Sequence, residues 1–480
     1  MHRIRTAVAV AAVSVLCLAG PSWPAAAQPA VPPPVDSGRR PSTVEAAITP
    51  YQAPNQVGPA VPVGRCITAA PESGGALTAA PAGQQRMRIE EAQEFATGRG
   101  QTIAVIDSGV NPHPRLEGRL DDGGDYILGE SGTSDCEGHG TVVAGIIAAA
   151  PDPATGFVGI APDARILSIR QGSTFFEVER RDPETGQTVS MPAGDTTSMA
   201  RAIVRAVETP GVSVINISEA ACIPVPGSRA GNLRDGDLQA AVRYAADNDV
   251  VVVAAAANAG NDECRNNPEG GVRTIVSPAW FDEDVLAVGA TDASTGAAAG
   301  FTMSGPWVDV AAPGTEIVSL DPASGGLTAT LADTDGNRAP IKGTSFATPY
   351  VAGVAALVRE RYPRLTARQA IERIQRTAQH TAGPGGRDRT LGYGVINPVA
   401  ALTAVLSGQG LEQGPEQDSA PEPEPVEPAR LQDFRLPVPE DPMRRTVAFV
   451  GAGAGIAALG ITVLTVFTVK RYRRSSLPER

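Results

Sequence analysis

Residues 343–358 read Gly-Thr-Ser-Phe-Ala-Thr-Pro-Tyr-Val-Ala-Gly-Val-Ala-Ala-Leu-Val. Small residues lead into Ser345, and apolar Tyr350, Val351, Val354, Ala355 and Val358 recur behind it at helical spacing. The pattern predicts a serine at the point where a loop enters a buried helix. The first turn of a helix offers unpaired N–H groups and a partial positive charge, which suit the oxyanion formed when an acyl carbonyl is attacked. A serine hydroxyl is inert without a base, so the rest of the chain must supply one.

Upstream of this helix, short apolar strands are predicted at 102–106, 165–169, 212–217, 250–254 and 285–288. Helical patterns run at 197–207 and 237–248 between them. Strands that are apolar on both faces and alternate with helices argue for an α/β sandwich of three layers around a mostly parallel sheet. Functional loops of such sheets gather at the carboxyl ends of strands, where Asp107 and Asn258 fall. A loop carrying Asp121, Asp122 and Asp125 follows the first strand, and Thr366 with Gln369 forms a capping box that opens the last helix, ending near Thr377.

Both ends of the chain carry membrane signals. Basic Arg3 and Arg5, an apolar run over 7–20 and Ala25-Ala-Ala27 have the layout of a signal peptide cleaved after Ala27. Near the other end 446–469 is an uncharged apolar run of 24 residues, long enough as a single transmembrane helix. Lys470, Arg471, Arg473 and Arg474 follow it, which leaves the tail in the cytoplasm and the body outside. The segments are therefore a leader (1–27), a Pro- and Ala-rich arm wrapping the body (28–86), the body (87–406), an acidic Pro-rich stalk (407–442), the membrane helix (446–469) and a basic tail (470–480). The net charge of −12 argues against a nucleic-acid partner.

Five cysteines fit an oxidising compartment. Cys17 leaves with the leader, and Cys66, Cys136, Cys222 and Cys264 allow three pairings. Chain order and the wrapping of the arm favour Cys66 with Cys136 and Cys222 with Cys264. None forms a close C-x-x-C pair of the kind a metal site wants.

Three histidines remain in the mature chain: His113, His139 and His380. His139, between glycines at the mouth of a helix, is the one placed to approach a neighbour closely. Asp107, at the end of a buried strand, is the leading carboxylate to orient it.

Asp107-Ser-Gly, Gly138-His-Gly-Thr-Val-Val-Ala-Gly and Gly343-Thr-Ser-Phe-Ala-Thr-Pro, in that order, resemble the three signature blocks of the subtilisin-like serine peptidases. The Asp, His, Ser order is a known mark of that group. Residues 254–261 resemble the block that carries its oxyanion asparagine, matched by Asn258, and 307–314 also match. The whole layout resembles the mycosins, membrane-anchored members tied to type VII (ESX) secretion. The resemblance implies a serine endopeptidase with Asp107, His139 and Ser345 as triad and Asn258 at the oxyanion. It implies exported proteins as substrates and a secretion complex as partner; no cofactor and no metal ligand are read from the chain itself. One departure stands out. Where many subtilisins have Ser-x-Gly-Gly along the cleft, this chain has Ser218-Glu-Ala-Ala-Cys222, so substrate preference is not transferable.

A lone Ser in Gly-Thr-Ser is usually a helix cap, and Asp-Ser-Gly opens aspartic-protease motifs, which need a second such aspartate. The acidic stretches 121–125 and 333–337 could bind calcium, as relatives of the subtilisins often do, but they complete no EF-hand loop and read as solvated turns. Gly451 and Gly455 could pack the membrane helix against another. A second function stays open: a protease-like body serving chiefly as a scaffold of the secretion machine.

Overall fold

The structure, a computed structural model, describes residues 31–68, 79–182, 185–225, 235–260, 264–267 and 271–407. The chain divides into two units, 1–411 and 412–480, and the described residues belong to the first. The expected leader, transmembrane helix and tail, and the stalk beyond Ser407, lie outside the described residues. Among the described residues no helix is long and apolar enough to cross a membrane.

The strands are β1 (Gln56–Pro62), β2 (Thr102–Asp107), β3 (Leu120–Asp125), β4 (Arg165–Arg170), β5 (Ser173–Arg181), β6 (Thr188–Ala193), β7 (Val212–Ile217), β8 (Ala221–Pro224), β9 (Val251–Ala255), β10 (Thr274–Ser277), β11 (Val285–Thr291) and β12 (Val310–Pro313). The helices used below are α1 (Ala82–Arg86), α2 (Ile89–Gln93), α3 (His139–Ala148), α4 (Thr196–Val207), α5 (Gly236–Asp247), α6 (Thr344–Arg361) and α7 (Ala367–Thr377).

Seven strands form one sheet in the order β12-β11-β9-β7-β2-β4-β3, every pair parallel. From β2 the chain builds outward through β3 and β4 on one side and β7, β9, β11 and β12 on the other. Asp107, the last residue of β2, therefore stands where the winding direction reverses, the place where such sheets open a crevice. Helices cover both faces. Val142 and Ile146 of α3 pack with Val351, Val354 and Leu357 of α6 on one side, and Ile203 of α4 with Leu238 and Val242 of α5 on the other. Each such aliphatic side chain contributes roughly 1.5–3 kcal/mol on burial. Helix α6 is buried on every side from Thr344 to Val358, so its polar end is presented only where the sheet crevice opens.

The expected strands and helices appear within a residue or two at most ends, and Thr366 and Gln369 make their reciprocal capping bonds. The acidic stretch after β2 is not a loop but edge strand β3. Its polar residues are tolerated because they have partners: Arg165 donates to both Asp121 oxygens at 2.9 and 2.6 Å, and Arg170 forms a buried ion pair with Asp125. The first helix of the body starts at Ala82, ahead of the expected Met87.

The arm lies along the body. Gln239 donates to Pro33 O, Arg39 pairs with Asp237, Tyr126 donates its hydroxyl to Ala46 O, and β1 pairs antiparallel with β5. The Pro- and Ala-rich arm still contributes a strand: β1 forms because β5 and β6 make a hairpin with a free edge to receive it. Bonds Cys66–Cys136 and Cys222–Cys264 are present.

Candidate active site

Asp107 is wholly buried, and its Oδ1 lies 2.7 Å from His139 Nδ1 while also accepting from Ser108 N at 2.8 Å. With the carboxylate ionised, Nδ1 carries the donated proton and Nε2 is left as the basic nitrogen. His139 begins α3, and its position is set by Asp135. The buried Asp135 carboxylate accepts from Ser108 Oγ, Gly138 N, Thr141 N and Thr141 Oγ1 at 2.6–2.9 Å. It thus ties the residue after Asp107 to those around His139.

The imidazole is 18 % exposed. Burial disfavours its charged form, but the charge and hydrogen bond of Asp107, joined by Glu137 and Glu219, outweigh burial and hold the ring above the usual histidine range.

Ser345 is the second residue of α6 and 9 % exposed. Its neighbour Phe346 stacks tilted against His139, ring centroids 4.9 Å apart. Among the described residues no hydrogen bond joins Ser345 to His139. The Asp107–His139 contact is in place, and a contact between a serine and a histidine so arranged commonly tightens only with a ligand bound.

Pro349 lies inside α6 and has no N–H to give the carbonyl of Ser345, four residues earlier. Ser218 Oγ donates to that carbonyl instead, at 2.7 Å, and itself accepts from Asn216 Nδ2 at 2.9 Å. The end of β7 is thereby bolted to the backbone of Ser345.

Asn258 follows β9. Its Oδ1 accepts from Thr344 N at 2.9 Å, so Nδ2 is the end left to donate. A Cβ at Gly343 would come within 2.9 Å of Ser345 Oγ and 3.2 Å of Asn258 Nδ2. Hydroxyl and amide therefore flank one small gap that only glycine keeps clear, with the N–H of Ser345, in the first turn of α6, beside it.

The other histidines stand apart. His113 is buried and accepts from Arg115 N through Nδ1, and His380 packs edge-on to Tyr393. Asp333 accepts from Asp335 N and Asn337 N inside a turn. Among the described residues there is no group of three His, Cys, Asp or Glu able to hold a metal. Asp135 and the docking of Ser218 were not read from the sequence; Pro349, which orphans a carbonyl, was the available signal for the second.

The subtilase family of peptidases matches residues 98–394. Mycosin-1 of Mycolicibacterium smegmatis is 40% identical over 97% of this chain and 99% of its own. The crystal structure of MycP1 from Mycobacterium smegmatis superposes with a TM-score of 0.69 at 40% identity, covering 81% of this chain and 99% of that one. A chain in the structure of an intact ESX-5 inner membrane complex superposes at 0.68 with 37% identity, covering 91% of this chain and 99% of its own.

Proposed function

The chain belongs to the subtilases and, within them, to the mycosins, a lineage of serine endopeptidases, and from that premise we propose that Asp107, His139, Ser345 and Asn258 carry its chemistry. His139 Nε2 takes the proton of Ser345 as Oγ attacks a peptide carbonyl, Asp107 steadies the imidazolium, and His139 then gives the proton to the leaving amine. Asn258 Nδ2 and the Ser345 N–H hold the oxyanion. The observation that carries this reading is the 2.7 Å contact between His139 and the buried Asp107, placed at the same crevice as the Ser345–Asn258 gap. A fluorophosphonate should label wild type at one serine, and Ser345→Ala and His139→Ala should each abolish labelling; retained labelling in Ser345→Ala overturns the assignment.

The same reading extends to the setting. The relative found in an ESX-5 inner membrane complex supports a place for this chain in a type VII secretion complex at the membrane, with exported proteins as substrates. Residues 446–469 serve as its single membrane anchor, the leader is removed after Ala27, and the body works outside the cytoplasm. A second reading, a scaffold subunit in which catalysis is secondary, draws on the same complex. Secretion measured in a Ser345→Ala strain separates them: export that persists while processing stops favours the scaffold.

A further inference from the structure

Beside His139 opens a cavity of about 360 Å³. Pro192, Met199, Leu238 and Pro278 give it apolar walls, Glu137 and Glu219 line it as well, and among the described residues no Lys or Arg does. Glu137 Oε2 accepts from Ser173 Oγ at 2.7 Å and from Thr174 N at 2.8 Å. Asp195, also in the lining, is occupied in capping α4 and pairing with Arg180 at 3.0 Å. Glu219 differs: it is half-buried, and its carboxylate makes no hydrogen bond or ion pair among the described residues. Burial first, then the charges of Asp107 and Glu137, push its carboxyl up to about 8 against the opposing pull of His139.

The position of Glu219 is built. On one side Ser218 is docked on Ser345 O, and on the other Cys222 is bonded to Cys264. The carboxylate lies flush on Gly172, where a Cβ would come within 2.4 Å of Oε2. A cation seated beside this carboxyl would favour its charged form and give it a charge-assisted partner.

We propose that this cavity is a subsite for a cationic side chain of the substrate, arginine before lysine, with Glu219 as the specificity-determining group. The apolar walls suit an alkyl stem and the carboxylates suit the charged head. The planar guanidinium can meet Glu219 with two parallel bonds while Glu137 adds charge from the side. The inference rests on the peptidase reading above for the location of the cleft.

The test uses a series of peptides with a single arginine, or its neutral isostere citrulline, at each of the four positions before the scissile bond. They are compared as substrates of wild type and, by fluorescence anisotropy, as ligands of Ser345→Ala. At one position arginine should exceed citrulline by about tenfold or more in both kcat/KM and affinity, and Glu219→Gln should remove most of that ratio. Gly172→Ala, which displaces the carboxylate without deleting it, should do the same in a protein of unchanged fold. A ratio equal in wild type and Glu219→Gln, or no arginine preference at any position, overturns the subsite. Fluorophosphonate labelling keeps the two readings apart. Labelling without arginine preference removes the subsite alone; arginine preference in binding to Ser345→Ala with no labelling of wild type removes the peptidase roles alone.

Discussion

Ser218 Oγ donates to the carbonyl of Ser345 at 2.7 Å across 127 residues of chain, filling the place that Pro349 leaves empty in α6. The two proposed surfaces of the cleft, the strand end that receives substrate and the turn that carries the nucleophile, are therefore one rigid unit. Ser218→Ala would leave a buried carbonyl without a donor, at a cost of about 1–3 kcal/mol. We expect a lower Tm together with a loss in kcat, and Ser218→Thr, which keeps the hydroxyl, should recover most of both. Equal thermal stability of Ser218→Ala and wild type would show that the bond does no structural work.

Asp107→Asn should lower kcat by roughly 10⁴ with the fold intact, because an amide at this position favours the wrong imidazole tautomer. It also tests the electrostatics. The general base acts when neutral, so kcat/KM should rise with pH through the raised pKa of His139. Removing the Asp107 charge lowers that pKa, and the midpoint of the acid limb should move to lower pH in the residual activity. A midpoint that stays or climbs contradicts Asp107 as the source of the shift.

The legible part of this molecule was the part whose chemistry is local. Asp107 ends an apolar run, His139 and Ser345 sit in glycine-rich entries to apolar helices, and each pattern names its own element. Strand β3 was hidden because Leu120-Asp-Asp-Gly-Gly-Asp125 has the composition of a turn; Arg165 and Arg170 on the neighbouring strand, with Ser131 and the backbone of the loop after β3, make it a tolerable edge. Strand β1 was hidden for a similar reason. Its Gly and Pro argue against a strand, and it forms by pairing with a hairpin edge more than a hundred residues away in sequence. Glu219 was visible as a departure, but nothing local said that Gly172 and Glu137 would surround it.

Asn258→Ala should reduce kcat by about 10²–10³ and leave KM nearly unchanged, since the Nδ2 donor works on charge that exists only in the transition state. Ser345→Ala should be more severe. Because Asn258 Oδ1 also accepts from Thr344 N, the substitution frees the first N–H of α6, and a small loss of thermal stability should accompany the rate effect. Turnover of a peptide at the wild-type rate by purified Asn258→Ala would remove Asn258 from the oxyanion site.

The bond between Cys66 and Cys136 closes a separation of 70 residues, for which chain entropy alone gives about 4 kcal/mol of stabilisation. Its effect reaches further than that figure, because Cys136 is buried with Phe175, Phe176 and Val178 of β5, against which Ala60 of the arm packs, and Ile67 N donates to Cys136 O. Cys136 also lies three residues before His139, with Asp135 and Glu137 on either side. Replacing both cysteines by serine should lower Tm, open the arm at residues 63–68 to limited proteolysis, and reduce kcat through the loosened His139 turn. Replacing Cys222 and Cys264, which close a separation of 42 residues beside Glu219, should disturb substrate preference more than arm retention. If the Cys66 and Cys136 double replacement left the arm as protease-resistant as in wild type, the pairing of β1 with β5 would be sufficient by itself to hold it.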